Sequence, residues 1–407
     1  MGMVSDAIDA DRMARDIEAI AGFSEEDPRV GYSRPTFSPS WRKARDYVIG
    51  QAAAAGCTAR IDAAGNVHAR RSRRGKTWLC GSHIDSVPTG GKYDGVVGVV
   101  VALEVIRAVP EAPIELVVFA EEEGTTFNLG MIGSRAWTGG LGPAELGALR
   151  NKSGEDFLAA GAAHGVSPER LAAELLPPGA YLGLIETHVE QGPGLWNSGA
   201  AAAVVTAIAG RRQYDCALCG QANHAGATRM ADRRDALAGA AQVVIALEAL
   251  GRELDRQEGP AVITVGRLDV QPNAVNVIPG WARFSIDLRA GSEGTINRGD
   301  ARVRKLLADI AAVRGLELEI SGTESIPPVP LDPGVCARLR DAAKRLGLSI
   351  PDTASGALHD TAVLAPLLPA AMLFIPSRDG ISHNPAEYSR IEDIAGAARI
   401  VAEAVSA

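Results

Sequence analysis

The sequence predicts an α/β protein: a mixed, largely parallel sheet flanked by helices, with an inserted ferredoxin-like α+β domain. Three observations carry this. Short apolar runs rich in β-branched residues alternate with a helical pattern between Thr77 and Ala120, the arrangement that builds parallel sheets. A comparable run, Ala371–Pro376, returns near the C-terminus. Between them, from about Val205 to Ser321, the order becomes strand, helix, strand, strand, helix, strand, which is a self-contained split motif.

Taken in order, Thr77–Cys80 reads as a strand, Gly95–Val109 as a buried helix and Ile114–Ala120 as the next strand. Gly95–Val109 is the most apolar stretch, yet it is too short to cross a membrane and carries Glu104 and Arg107. The insert reads as strand Val205–Leu218, helix Asp232–Leu254, strands Ala261–Leu268 and Trp281–Arg289, helix Thr295–Arg314 and strand Leu316–Ser321. Ala282, Phe284, Ile286 and Leu288 alternate with Arg283, Ser285, Asp287 and Arg289, the period of a half-buried strand, so Arg289 falls on the polar face. A length of 407 residues exceeds one ordinary core. Residues 1–205 and 322–407 are expected to form one domain in two parts, with 206–321 inserted. No internal repeat or low-complexity tract interrupts this order.

Composition is globular: 46% hydrophobic and 22% charged residues supply enough apolar surface to offset the entropy of ordering the chain. A net charge of −8 speaks against nucleic acid as a partner, because phosphate backbones need a clustered positive surface. The one basic run, Arg70, Arg71, Arg73, Arg74 and Lys76, reads as a solvated turn between strands, with a local anion site as the alternative. The start of the chain carries Asp6, Asp9 and Asp11 and no basic segment followed by an apolar core, so the expected location is cytoplasmic, without membrane attachment. Five irregularly spaced cysteines argue against a disulfide framework. Cys216 and Cys219 form a lone CxxC and read as two strand thiols rather than a zinc or redox pair.

The chemistry concentrates just beyond the apolar runs. In GSHIDSVPTGGKYDG, His83 and Asp94 lie between a strand and a helix, where open α/β sheets place ligands. Imidazole and carboxylate suit a divalent ion such as zinc, and Asp85 is placed to hold the other nitrogen of His83. Glu121, Glu122 and Glu123 follow the Ile114–Ala120 run. Three adjacent carboxylates there repel unless a cation or proton compensates them, and one can ligate while its neighbour accepts a proton from water. His188, in GLIETHVEQGPG, and His383, in GISHNPAEYS, follow two further apolar runs. Each segment alone also fits a hydrogen-bonded loop histidine or a solvated acidic loop. Together, His83, Asp94, Glu123, His188 and His383 match two metal sites sharing one bridging carboxylate. His68 and His164 lack such a context and read as surface or packing residues. In the insert, His224, Asn276 and Arg289 form a second polar set. Each admits a structural role, and Arg289 could also offer a two-pronged contact to a substrate carboxylate.

From about Gly81 to Glu387 the chain resembles the hydantoinase/carbamoylase group of the zinc-dependent aminoacylase and carboxypeptidase-like clan. The resemblance rests on GSHIDSVPTGGKYDGVVGV, EEEGTTF, GSRAWTG, HVEQGP, NHAG, PNAVNVIPG, SGALHD and SHNPAE, in that order. It implies that His83 and His188 bind one ion, Glu123 and His383 the other, and Asp94 both, with Glu122 as general base. Glu121 is left over as an extra acidic residue. It further implies that His224 stabilises the tetrahedral intermediate from a partner subunit, which makes 206–321 a dimerising lid and the protein a homodimer. Asn276 and Arg289 then hold a substrate carboxylate, Gln191 touches substrate, and His359 and Asp360 line the same pocket.

The implied cofactor is two divalent ions per subunit, Zn2+ first, with Mn2+, Co2+ or Ni2+ also suited to such ligands. The implied reaction is hydrolysis of an N-carbamoyl-L-amino acid, a small molecule bearing a carboxylate, to amino acid, carbon dioxide and ammonia. Allantoate amidohydrolase is the alternative, followed by N-acyl-amino-acid amidohydrolase or dipeptidase. The PTGGKYDG segment looks more like carbamoylases and ureidopropionases than allantoate amidohydrolases. The chain departs from the family at Leu358, usually Gly, at Arg229, usually Pro, and at Thr126, often Arg. Leu358 bears most on the shape of the pocket.

Overall fold

The structure is a computed structural model that describes residues 7–72 and 75–406. Asp6, Arg73 and Arg74 of the sequence reading lie outside the described residues. Internal contacts divide the chain into two compact units. One comprises residues up to Thr206, Leu331–Thr353 and those from Leu358 on; the other is Ala207–Pro330 with Ala354–Ala357.

The first unit is built on a mixed sheet whose strands run in the order Ala203–Ile208, Ala370–Ile375, Tyr181–Val189, Thr77–His83, Ile114–Phe119, Val67–Arg70, Thr58–Ile61. The four central strands are parallel, and the outer ones pair antiparallel. Thr77–His83, Ile114–Phe119 and Ala370–Ile375 are buried at every position, which is why they read as unbroken apolar runs rather than alternating ones.

Helix Val96–Ala108 is buried from Val96 to Ile106. Both of its charges are paired: Glu104 accepts from Arg12 Nε at 2.8 Å and Nη2 at 2.6 Å, and Arg107 contacts Asp16. A buried helix can therefore carry them. No helix among the described residues is long and apolar enough to cross a membrane. Of the basic run, Arg70 ends the strand Val67–Arg70 with its Nη1 3.4 Å from Glu115, and Arg71 follows it, donating to the Ile106 carbonyl. His164 stacks on Phe37 in packing, whereas His68 is buried between the carboxylates of Asp62 and Glu115, one on each ring nitrogen, and acts as a buried polar link and not as a surface or packing residue.

The second unit is antiparallel. Its strands run Ala261–Thr264, Trp281–Ala290, Gly210–Cys219, Glu317–Ile326, and Leu268–Gln271 also pairs with Trp281–Ala290. Helices Ala236–Glu258 and Glu293–Arg314 close over one face in a core that includes Leu218, Val243, Leu247, Phe284, Leu288 and Leu307. This is the split β-α-β-β-α-β arrangement, and Ala282, Phe284, Ile286 and Leu288 do point inward.

Three expected elements differ. The strand read as Val205–Leu218 is two strands, Ala203–Ile208 and Gly210–Cys219, that belong to different sheets. The junction falls at Gly210, where a Cβ would stand 2.5 Å from Pro328, so the chain passes too closely for a side chain. Ala261–Leu268 is likewise split, with Leu268–Gln271 forming its own strand. The edge strand begun at Glu317 continues past Ser321 to Ile326 through a register shift, and the second unit accordingly runs to Pro330 rather than closing at 321.

Candidate metal centre

The central parallel strands end in step. His83 is the last residue of its strand and pairs across to Phe119, just before Glu121; His188 pairs with Phe374, shortly before the loop that carries His383. Carboxyl ends of neighbouring parallel strands thus deliver all these segments to one edge of the sheet. Asp94 arrives from the loop before helix Val96–Ala108. That helix starts at Gly95, whose φ of +67° and whose Cβ position 2.5 Å from the His83 ring exclude a side chain.

Asp94 divides its two oxygens. Oδ1 lies 3.5 Å from His83 Nε2 and 3.1 Å from His188 Nε2; Oδ2 lies 3.1 Å from His383 Nε2, which is itself 3.4 Å from Glu123. Two sets of ligand atoms result, His83/Asp94/His188 and Asp94/Glu123/His383, each within 4.8 Å of one another. A third such set, Glu186/His188/His359, is compromised because Glu186 already accepts from Ser82 Oγ at 2.7 Å and Thr361 Oγ1 at 2.6 Å.

The donor set fits cations. His83 Nδ1 faces the Asp85 carbonyl at 3.0 Å and His188 Nδ1 the Val189 carbonyl at 2.9 Å. A carbonyl only accepts, so both Nδ1 atoms carry hydrogen and both Nε2 lone pairs face the Asp94 carboxylate. His188 Nε2 and Glu123 Oε1 are buried without a hydrogen-bond partner among the described residues. Lone pairs opposed in this way need a proton or a cation between them.

The titration directions agree. Burial opposes charge on His83, but Glu122, Asp94 and Asp85 pull its imidazole well above the usual range. Burial pushes Glu123 up to about 7, helped by Asp94, and drives Glu122 well above the carboxylate range, with His83 opposing and Asp360 adding to the rise. His383 is held at about 9, first by its contact with Asp94. These directions favour protons on the cluster, and a divalent ion bound there would have to displace them.

Glu122 Oε2 lies 3.7 Å from His83 Nε2, beside the first set. Glu121 turns the other way, with φ of +55°, and its Oε1 accepts the main-chain N–H groups of Thr126 at 2.7 Å and Phe127 at 2.9 Å. Its role is to fasten the following loop. Gln191 donates from Nε2 to Asp94 Oδ2 at 2.9 Å. His359 packs edge-on against His188 with ring centroids 4.4 Å apart, and burial followed by the neighbouring His188 keeps it neutral. Asp360 is buried on Ser134 Oγ at 2.5 Å.

Asp85 acts differently from the expectation. Its carboxylate is 3.7 Å from His83 Nδ1, which is held by the Asp85 main-chain carbonyl instead. The carboxylate oxygens accept the main-chain N–H groups of Glu122 at 3.3 Å and Glu123 at 3.1 Å, the amides left open where the Ile114–Phe119 strand ends. Two residues given no role from sequence also shape the site: Glu186, described above, and Glu387, which accepts the main-chain N–H of Asp94 at 3.1 Å. Both lie within recognised motif segments, but nothing in their spacing says that they accept local donors.

His224, Asn276 and Arg289 belong to the second unit. His224 is exposed, and its Nδ1 accepts the N–H groups of Gly226 at 3.0 Å and Ala227 at 3.2 Å, which leaves Nε2 to carry the hydrogen as an outward donor. Asn276 is exposed, and its main-chain carbonyl accepts the Ala225 N–H. Arg289 is no free fork here: Nε donates to Asp287 at 2.9 Å and Nη1 to the Gly356 carbonyl at 2.8 Å. Arg229, a departure from the family, pairs with Asp232 at 2.8 Å on the surface.

The comparisons with known proteins converge. Residues 79–407 match the family described as Peptidase family M20/M25/M40. The chain is 37% identical to an N-carbamoyl-L-amino acid amidohydrolase of Geobacillus stearothermophilus, covering 92% of this chain and 93% of the relative. It is 32% identical to the allantoate amidohydrolase of Escherichia coli K12, covering 92% of each. A hydantoinase/carbamoylase family amidase structure from Burkholderia multivorans superposes with a TM-score of 0.90 at 34% identity, over 98% of this chain and 97% of that one. The resemblance read from the motifs is the one these relatives bear out.

Proposed function

The chain belongs to peptidase family M20/M25/M40, and from that premise we propose that it is an amidohydrolase that cleaves the ureido C–N bond of an N-carbamoyl-L-amino acid, giving amino acid, carbon dioxide and ammonia. The observation that carries the reading is the division of Asp94 between His83 and His188 on one oxygen and His383 with Glu123 on the other. Relatives named as N-carbamoyl-L-amino acid amidohydrolases and allantoate amidohydrolases support the ureido bond as the target.

In this reading His83, Asp94 and His188 hold one divalent cation and Asp94, Glu123 and His383 a second, Zn2+ being the first choice for such ligands. The cations, when bound, acidify water and neutralise charge that develops on the carbonyl oxygen. Glu122 does the proton work: its carboxylate accepts a proton from water as that water attacks the ureido carbonyl, then returns it to the departing nitrogen. The same low-dielectric burial that raises its proton affinity suits a group that must take up and release a proton in one cycle. Asp85 holds the main chain of Glu122 and Glu123, and Gln191 holds Asp94 through Oδ2, the oxygen that also faces His383.

The second unit is assigned the role of dimerising lid, with His224 Nε2–H as the oxyanion donor. Asn276 and Arg289 are assigned to the substrate carboxylate; Arg289 has to exchange the Asp287 and Gly356 contacts for it.

Turnover of N-carbamoyl-L-amino acids, allantoate, ureidoglycolate and N-acyl amino acids by protein of measured metal content tests the reading. The highest kcat/KM is expected on an N-carbamoyl-L-amino acid, with ammonia released. A higher value on allantoate or ureidoglycolate, or carboxylic acid release from an acyl substrate alone, would replace the substrate.

A further inference from the structure

We infer that Glu387 is a positioning residue that ties the loop of Asp94 to the loop of His383, and that the cation held by Asp94, Glu123 and His383 depends on it while the cation beside His83 and His188 does not. This rests on the two-cation reading above.

Glu387 is buried, and both of its oxygens are committed to donors. Oε2 accepts the main-chain N–H groups of Tyr93 at 2.8 Å and Asp94 at 3.1 Å, and Oε1 stands 2.7 Å from Ser382 Oγ. It is therefore not a ligand itself. The donors come from the segments that carry Asp94 and His383, so one carboxylate spans both. Its place exists only because residue 91 is glycine: a Cβ there would stand 2.2 Å from Glu387 Oε2. Ser382 Oγ also stands 3.1 Å from Asp94 Oδ2, so its hydroxyl is within reach of both carboxylates and its one hydrogen serves one of them at a time. Two carboxylates buried this close repel each other, a cost met only by well-placed donors or positive charge.

The two halves of the centre differ in how their histidines are held. His83 and His188 sit at the ends of central strands, 1% exposed, each ring fixed through Nδ1 to a main-chain carbonyl. His383 sits on a loop with φ of +54°, and its side chain is 48% exposed. The sheet sets the first pair, whereas the loop relies on its tie to the Asp94 segment. Outer hydrogen-bond partners of metal ligands are worth about 10–100-fold in metal affinity.

The test is equilibrium dialysis of the full chain against buffered Zn2+, read by elemental analysis, for wild type, Glu387→Gln and Ser382→Ala, with melting temperatures of the ion-free proteins. His383→Ala identifies which of the two affinities belongs to its half. Glu387→Gln keeps the size but turns a donor toward a donor. We expect it to lower the affinity of the His383-dependent ion by about 10–100-fold, to leave the other ion and the ion-free melting temperature unchanged, and Ser382→Ala to give a smaller loss at the same ion. Should Glu387→Gln fail to fold, Ser382→Ala carries the test alone. Unchanged affinity for both ions, or equal losses at both with a lower ion-free melting temperature, would overturn the inference in favour of a plain loop staple. Uptake of fewer than two ions by wild type would instead remove the two-cation reading, and this inference with it.

Discussion

The Asp85 carboxylate holds the main-chain N–H of Glu123 at 3.1 Å, so a residue two positions beyond His83 fixes the backbone of a proposed carboxylate ligand in the loop after the neighbouring strand. Its other oxygen does the same for Glu122 at 3.3 Å. Replacing Asp85 by Asn keeps the volume but offers a donor to one of these two donors. We predict a fall in kcat of about 10–100-fold with KM little changed, the size seen when outer partners of metal sites are lost. Steady-state kinetics on the best substrate checks this; a change in KM alone would assign Asp85 to substrate binding instead.

Glu122→Gln separates proton transfer from metal binding. The residue lies beside His83, and its removal as a base is expected to cost about 10²–10⁴-fold in kcat while metal content by elemental analysis stays at the wild-type value. Loss of metal together with activity would make Glu122 a ligand, and unchanged turnover would show the base is elsewhere.

Gly95→Ala tests the packing of the His83 loop. With φ at +67° and a Cβ that meets the His83 ring at 2.5 Å, the substitution forces strain of about 1–3 kcal/mol and pushes the ring. A lower melting temperature and reduced metal uptake are expected together. A variant as stable and as well metallated as wild type would show that the loop accommodates a side chain.

His68 gives a stability prediction away from the site. Burial opposes its charge, but Asp62 and Glu115 on its two nitrogens raise its proton affinity above the ordinary value of 6.5. A histidine raised on folding stabilises fully below its unfolded pKa, and that contribution is lost as pH climbs through the folded value. The stability gap between wild type and His68→Gln, measured by urea unfolding, should therefore be widest below pH 6.5 and shrink at higher pH. A gap that widens with pH would mean that the ring is buried neutral.

How much of this was legible in the sequence follows from what each residue does. The α/β class and the split insert were readable because buried parallel strands write themselves as unbroken apolar runs and half-buried ones as alternation, as in Ala282–Leu288. His83, Glu123, His188 and His383 were visible because each follows such a run. The break at Gly210 was not visible, since apolar residues flank it in both sheets and only the approach of Pro328 reveals it. Asp85 and Glu387 were misread or passed over for one physical reason: a carboxylate that accepts main-chain N–H groups needs no partner of any residue type, so no spacing betrays it. Arg289 looked like an open fork because its partner Asp287 lies on the same strand face, which alternation alone does not distinguish from solvent.

The central claim is that Asp94 is shared by two cations, and anomalous diffraction from crystals of the Zn2+-loaded protein tests it most directly. The account predicts two anomalous peaks per chain, one against Asp94 Oδ1 with His83 and His188 and one against Asp94 Oδ2 with Glu123 and His383. A single peak, or two peaks of which only one touches Asp94, would contradict it.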